Sequence, residues 1–138
     1  MKVDVHIDCL FEKTKPECVF SCGATSYKRT LDETNVVTLD FEIQKQDQIQ
    51  IEFINKDEQD DNVVMIKKLL LDDIDIQHYI YHGSFEPIYN MDWYNKQVVK
   101  PPKVYRPCTE LRHNGVWKIQ VRTPVWKMIM EKWINDER

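Results

Sequence analysis

Residues 73–96, DIDIQHYIYHGSFEPIYNMDWYNK, gather two His, four Tyr, a Phe and a Trp into twenty-four positions. Such a stretch could hold a metal, stack sugars or nucleobases, or form a strand that runs into an ordered loop. His78 and His82 have the four-residue spacing of a helical HExxH zinc site, but Tyr79 stands where the general base Glu would be. On a strand the same two imidazoles share a face at about 13 Å, too far to share a metal. That face also carries Ile74, Ile76 and Ile80, so His78 reads as a hydrogen-bonded histidine on the core side, with Tyr79 and Tyr81 on the other face.

The densest set of oxygen donors is NKDEQDD, where Asn55, Asp57, Asp60 and Asp61 directly follow a strand pattern. Oxygen-rich loops suit calcium, a hard cation with six to eight oxygen ligands, although the spacing and glycine of an EF-hand are absent. A solvated acidic loop is the competing reading. For covalent chemistry there is no GxSxG elbow around Ser21, Ser26 or Ser84. Only Gly23, Gly83 and Gly115 are glycines, so neither phosphate-cradling pattern is present. A small hydrolase would have to draw an acid pair from the acidic loops. The reading is therefore of a protein that is not an enzyme and requires no cofactor, with calcium the one candidate.

Composition narrows the partners. The 138 residues carry a net charge of −4, which disfavours a phosphate-binding surface, so nucleic acid is not an expected partner. No run approaches the roughly 20 apolar residues of a membrane span, and MKVDVHIDCL lacks the apolar core of an export signal. The expectation is no membrane and a cytoplasmic site of synthesis, with Cys9, Cys18, Cys22 and Cys108 as reduced structural thiols. At 42% hydrophobic and 30% charged residues the chain is expected to fold as one domain over residues 1–138.

The elements that must position these residues are mainly strands. VDVHID sets Val3, Val5 and Ile7 against Asp4, His6 and Asp8, the two-residue period of a half-buried strand. TLDFEIQ and IQIEFIN repeat it, and KQDQ between them reads as a hairpin turn. ECVFSC is a further strand, NVVMIKKLLLDDIDI is one long bulged strand or two short ones, and HNGVWKIQVRTP is an Asn-Gly turn leading into a strand. Residues 83–107 hold Pro87, Pro101, Pro102 and Pro107, which predicts a long loop held by aromatic contacts. In the tail, Thr123 and Pro124 open a predicted helix whose apolar stripe is Trp126, Ile129, Met130, Trp133 and Ile134. The fold class is all-β, an antiparallel, jelly-roll-like β-sandwich with a long proline-rich loop and a short C-terminal helix.

The order IQIEFIN, acidic loop, DNVVMIKKLLLDD, within residues 36–76, resembles the central part of calcium-dependent xylan-binding modules, which are small jelly-roll sandwiches. The resemblance implies a calcium-assisted carbohydrate-binding module, with Asn55 and either Asp60 or Asp61 matching best. Lys56 stands where that pattern has Asp, Asp73 where it has the turn Gly, and the second strand has one extra residue. Sandwich domains of tailed-phage virion proteins resemble such modules and also lack export signals. The main expectation is thus a non-catalytic recognition or assembly module, a structural component of a larger particle such as a tailed-phage virion. Its expected partners are other protein subunits, or a glycan under the calcium-assisted alternative. Aromatics are enriched at interface centres, so Phe85, Tyr89, Trp93 and Tyr94 of the loop, with Trp126 and Trp133 of the tail, are the partner-binding candidates.

Overall fold

The period-two segments build two antiparallel sheets that face each other. The structure is a computed structural model that describes residues 1–56 and 59–136, the side chains of 132–136 excepted. In one sheet, β1 (Lys2–Leu10) lies between β4 (Thr34–Asp40) and β6 (Val63–Leu71). The short strands β7 (Ile74–Asp75) and β9 (Glu110–Leu111) also pair with β6. In the other sheet the order is β3 (Thr25–Thr30), β2 (Glu17–Cys22), β5 (Gln46–Phe53), β10 (Gly115–Arg122) and β8 (Ser84–Pro87). Alternation decides what faces inward. Val3, Val5, Ile7, Val37 and Leu39 of the first sheet meet Phe20, Ile49, Ile51, Phe53, Trp117, Ile119 and Val121 of the second in one buried cluster.

The pattern located the strands but not their partners. Leu39, Phe41 and Ile43 were expected to continue through a hairpin into Ile49, Ile51 and Phe53. Instead β4 pairs with β1 and β5 with β2 and β10, so residues 41–45 arch from one sheet to the other. The physical reason is that each strand has one apolar face, and opposing those faces across the core buries both. The Asn-Gly segment behaves alike: β9 pairs with β6 while β10 pairs with β5, so Asn114 and Gly115 cross between sheets.

Residues 62–76, read as one long bulged strand or two short ones, form two: β6, which carries a bulge, turns back at Asp72 and Asp73 into the antiparallel β7. Register shifts between His6 and Ile7, which pair with Lys68 and Ile66, so Lys67 is the extra residue. The bulge lets Ile66 and Leu69 both face the core while Lys67 and Lys68 stay exposed. The turn that follows needs no glycine. Asp72 and Asp73 take φ of 47° and 66°, which Asp tolerates, and their carboxylates accept from Lys2 N–H and Lys2 Nζ.

Residues 73–82 correct the single-strand reading. After β7 the chain turns into a 3-10 helix at Gln77–His82, because Tyr79 and the adjacent Ile80 are both buried, which a strand cannot do on one face. The Tyr79 hydroxyl donates to the Gln120 carbonyl at 2.7 Å. His78 is exposed and stacked on Tyr81 rather than set in the core. The predicted loop 83–107 contains the edge strand β8, ending on Pro87, and the short helix α1 (Met91–Lys96). Gly83 is required beside the core: a Cβ there would lie 2.4 Å from the Trp117 indole.

The terminal helix α2 (Val125–Asp136) starts where Pro124 predicted, but its stripe is shifted. Val125 and Met128 are buried and Ile129 packs against the core, whereas Trp126 and Met130 are exposed. The four thiols are unpaired, and Cys9, Cys18 and Cys22 are core residues. Burial pushes the Cys9 thiol up to about 12 and the Cys22 thiol up to about 11, which makes both inert near neutrality. Among the described residues no helix is long and apolar enough to cross a membrane.

Candidate functional site

Strand β8 delivers Ile88, Tyr89 and Asn90 to the surface, where Asn90 caps α1 by accepting the Trp93 N–H at 3.1 Å. The cap fixes where Trp93 leaves the backbone. Its indole stacks on Tyr89 at 5.6 Å and lies 5.1 Å from the His113 ring. Tyr89 also stacks on Tyr94 at 5.5 Å and meets His113 edge-on at 4.9 Å. The Tyr89 hydroxyl is anchored to the Pro102 carbonyl and lies 3.3 Å from the Tyr105 hydroxyl, so the proline-rich segment braces the ring from behind. Lys100 holds Tyr94, with Nζ 4.9 Å over the ring and donating to the Tyr94 carbonyl.

Tyr89, Trp93 and His113 form one wall of a groove of about 970 Å³. The rest of the lining is the exposed Ile88 and the polar residues Lys56, Gln59, Asp61, Asn90, Arg112 and Asn114. Asn114 ties the groove together, its side-chain oxygen accepting the Lys56 N–H at 2.7 Å and its carbonyl accepting the Ile88 N–H. Arg112 donates through Nε and Nη2 to one Glu110 oxygen. Burial, with the cations of Lys56 and Arg112, holds His113 below the usual imidazole value, so it is neutral at pH 7. A wall of ring faces beside planar amide, carboxylate and guanidinium groups suits a ligand with apolar faces and a hydroxyl-rich rim.

The depressed His113 value gives a stability signature. The unfolded chain takes up the proton near the ordinary pKa of about 6.5 while the native state resists it, so this contribution is lost as pH falls below that value. Thermal melts between about pH 7.5 and 5 should show a decline that His113→Gln reduces. Equal slopes in the two proteins would remove His113 as the cause.

The residues singled out from sequence are dispersed. Tyr89 and Trp93 line the groove, Trp93 remaining 38% exposed, and Tyr94 stands behind Tyr89. Phe85 is corrected to a core residue, 2% exposed, because the inward face of β8 lies over the sandwich interior. Trp126 is exposed on α2 and is not part of the groove lining, and the side chain of Trp133 lies outside the described residues. His113, Arg112 and Asn114 were missed, since nothing local marks them and only the crossing between β9 and β10 brings them to α1.

The calcium candidates fare differently. Asp57 lies outside the described residues. Asp60 is 2% exposed, and its carboxylate accepts the backbone N–H groups of Glu12, Lys13 and Thr14 at 2.9–3.0 Å. Asn55 accepts from Glu17 N–H and donates to the Lys15 carbonyl, fastening the same segment. Lys56 Nζ donates to the Asp60 carbonyl at 2.6 Å, bringing a cation to the place a metal would need. Of the described candidates, Asp61 faces the groove. The described residues of this loop therefore do not fit calcium, and no group of three metal-ligating side chains occurs among the described residues.

No family model matches the chain, and no curated protein matches it in sequence. Two solved structures are similar. One is vCBM60 in complex with galactobiose, 13% identical with a TM-score of 0.59 over 86% of this chain and 96% of that one. The other is a selenomethionine form of vCBM60, described in connection with circular permutation linking two families of calcium-dependent carbohydrate-binding modules. It is 14% identical with a TM-score of 0.60 over 85% and 87% of the two chains. The likeness is one of fold and covers most of the molecule, which is an all-β sandwich.

Proposed function

We propose that the protein is a non-catalytic carbohydrate-binding module whose ligand lies in the groove against Trp93 and Tyr89. The observation that carries this reading is the exposed Trp93 indole, stacked on Tyr89 and bordered by polar groups that can pair with sugar hydroxyls. Similarity of fold to a galactobiose-bound module supports it. The same features favour glycan over the protein subunits of a virion, the main expectation from sequence. In this reading Asn114, Arg112 and Asp61 meet the sugar hydroxyls without a bridging metal, because Asn55 and Asp60 are already engaged with the chain's own backbone.

Isothermal titration with galactobiose and with neutral xylo- and gluco-oligosaccharides, in calcium and in a chelator, tests the proposal. At least one series should bind, with the same affinity in both buffers. No binding across the panel would overturn the glycan reading. Binding that vanishes with chelation would overturn its metal-free form.

A further inference from the structure

A second hollow of about 360 Å³ adjoins the groove, lined by Phe85, Tyr105, Cys108 and Thr109 among others. The two depressions share Arg112 and His113. We propose that they form one trough that takes a chain of neutral sugars across the rim of Arg112 and His113, an inference that rests on the glycan reading. Each part has its own ring surface: Trp93 and Tyr89 in the groove, and half-buried Tyr105, edge-on to Phe85 at 6.5 Å, in the hollow. Repeated rings along a trough match the repeat of an oligosaccharide, whereas a single sugar ring would engage one wall only.

The charge of the ligand follows from the rim. Both Arg112 contacts go to Glu110 Oε2, so the guanidinium is already balanced. Lys56 and Arg112 stand against Asp61 and Glu110 in the combined lining, so it carries no net charge to draw a uronate or sulfate. A neutral chain meets hydrogen-bonding groups at the rim without an unpaired charge.

Cys108 offers a reversible plug for the hollow. It is half-buried, and the other three thiols lie in the core. Benzyl methanethiosulfonate at mildly alkaline pH forms an Sγ–S bond with release of methanesulfinate, and mass spectrometry should find one label on the native protein. The disaccharide and pentasaccharide of the best-binding neutral series are then titrated into free and capped protein. Free protein should bind the pentasaccharide at least tenfold more tightly, capped protein should bind both with the disaccharide's affinity, and dithiothreitol should restore the difference. Thr109→Phe should act like the cap.

A length advantage that survives both plugs, or its absence in the free protein, would overturn the trough while leaving the groove intact. Equal weakening of both ligands by the cap would also overturn it, since the disaccharide would then occupy the hollow. Failure of every glycan to bind free protein would overturn the underlying glycan reading.

Discussion

Trp93→Ala should abolish most glycan binding while leaving the melting temperature nearly unchanged. The indole is 38% exposed, and its backbone N–H is held by Asn90 whatever the side chain, so truncation leaves the cap in place. A central aromatic anchor is worth about 2 kcal/mol or more, which corresponds to roughly a 30-fold loss of affinity. Trp93→Phe, keeping a smaller ring face, should lose less. Trp126→Ala serves as the comparison: that indole is also exposed but lies outside the groove lining, so binding should not change. Titration beside thermal melting separates the possibilities. Unchanged affinity in Trp93→Ala would sink the groove, and a collapsed melt would show the ring to be packing.

The second large effect is on stability. Asp60→Asn should lower the melting temperature by on the order of 10 °C, because one carboxylate organises the segment after β1 through three backbone N–H groups. An amide has one acceptor oxygen in place of two and turns an NH2 toward donors. Asp61→Asn, exposed at the groove, should melt like the parent protein. The backbone N–H groups of Thr14, Lys13 and Glu12, with Lys56 adding a smaller effect, hold the Asp60 carboxyl below its ordinary value. Between the native and unfolded values the unfolded chain carries more protons. The stabilisation is therefore complete above about pH 5 and is lost as pH falls through about 4 toward the native value. The acid limb of a melting-temperature profile should be steeper for the parent protein than for Asp60→Asn. Matching limbs, or a large calcium-dependent rise in the parent melt, would contradict this account of the loop.

Those two residues show what could be read from sequence. Trp93 and Tyr89 stood out by aromatic density, and the strands around them by two-residue alternation. Alternation specifies which side chains share a face, but not which edge a strand will meet, so β4 and β5 looked like neighbours and proved to belong to opposite sheets. In residues 73–82 the alternation of Ile74, Ile76 and Ile80 mimicked a strand, while the adjacent burial of Tyr79 and Ile80 depends on tertiary packing. Asp60 looked like a cation ligand because its actual partners are backbone amides, which every residue but proline carries and no sequence pattern displays. The groove drew Arg112, His113 and Asn114 from a chain crossing whose destination is set by β10 pairing with β5 and β8.

The interleaving of the two sheets also sets a timetable for synthesis. Strands β1, β4, β6 and β7 are all encoded by Asp75, so the first sheet can close early except for the two-residue β9. The second sheet cannot. The strand that joins β5 to β8, β10, spans Gly115–Arg122, and until it leaves the ribosome one edge of β5 and the pairing edge of β8 have no partner. At about 5–20 residues per second the nascent chain spends several seconds with that edge open, the interval in which strand-edge association between chains competes with folding. A truncation that ends before β10 would prolong this state without limit, and it would also remove the partner along which β8 is laid to carry Trp93 to its place.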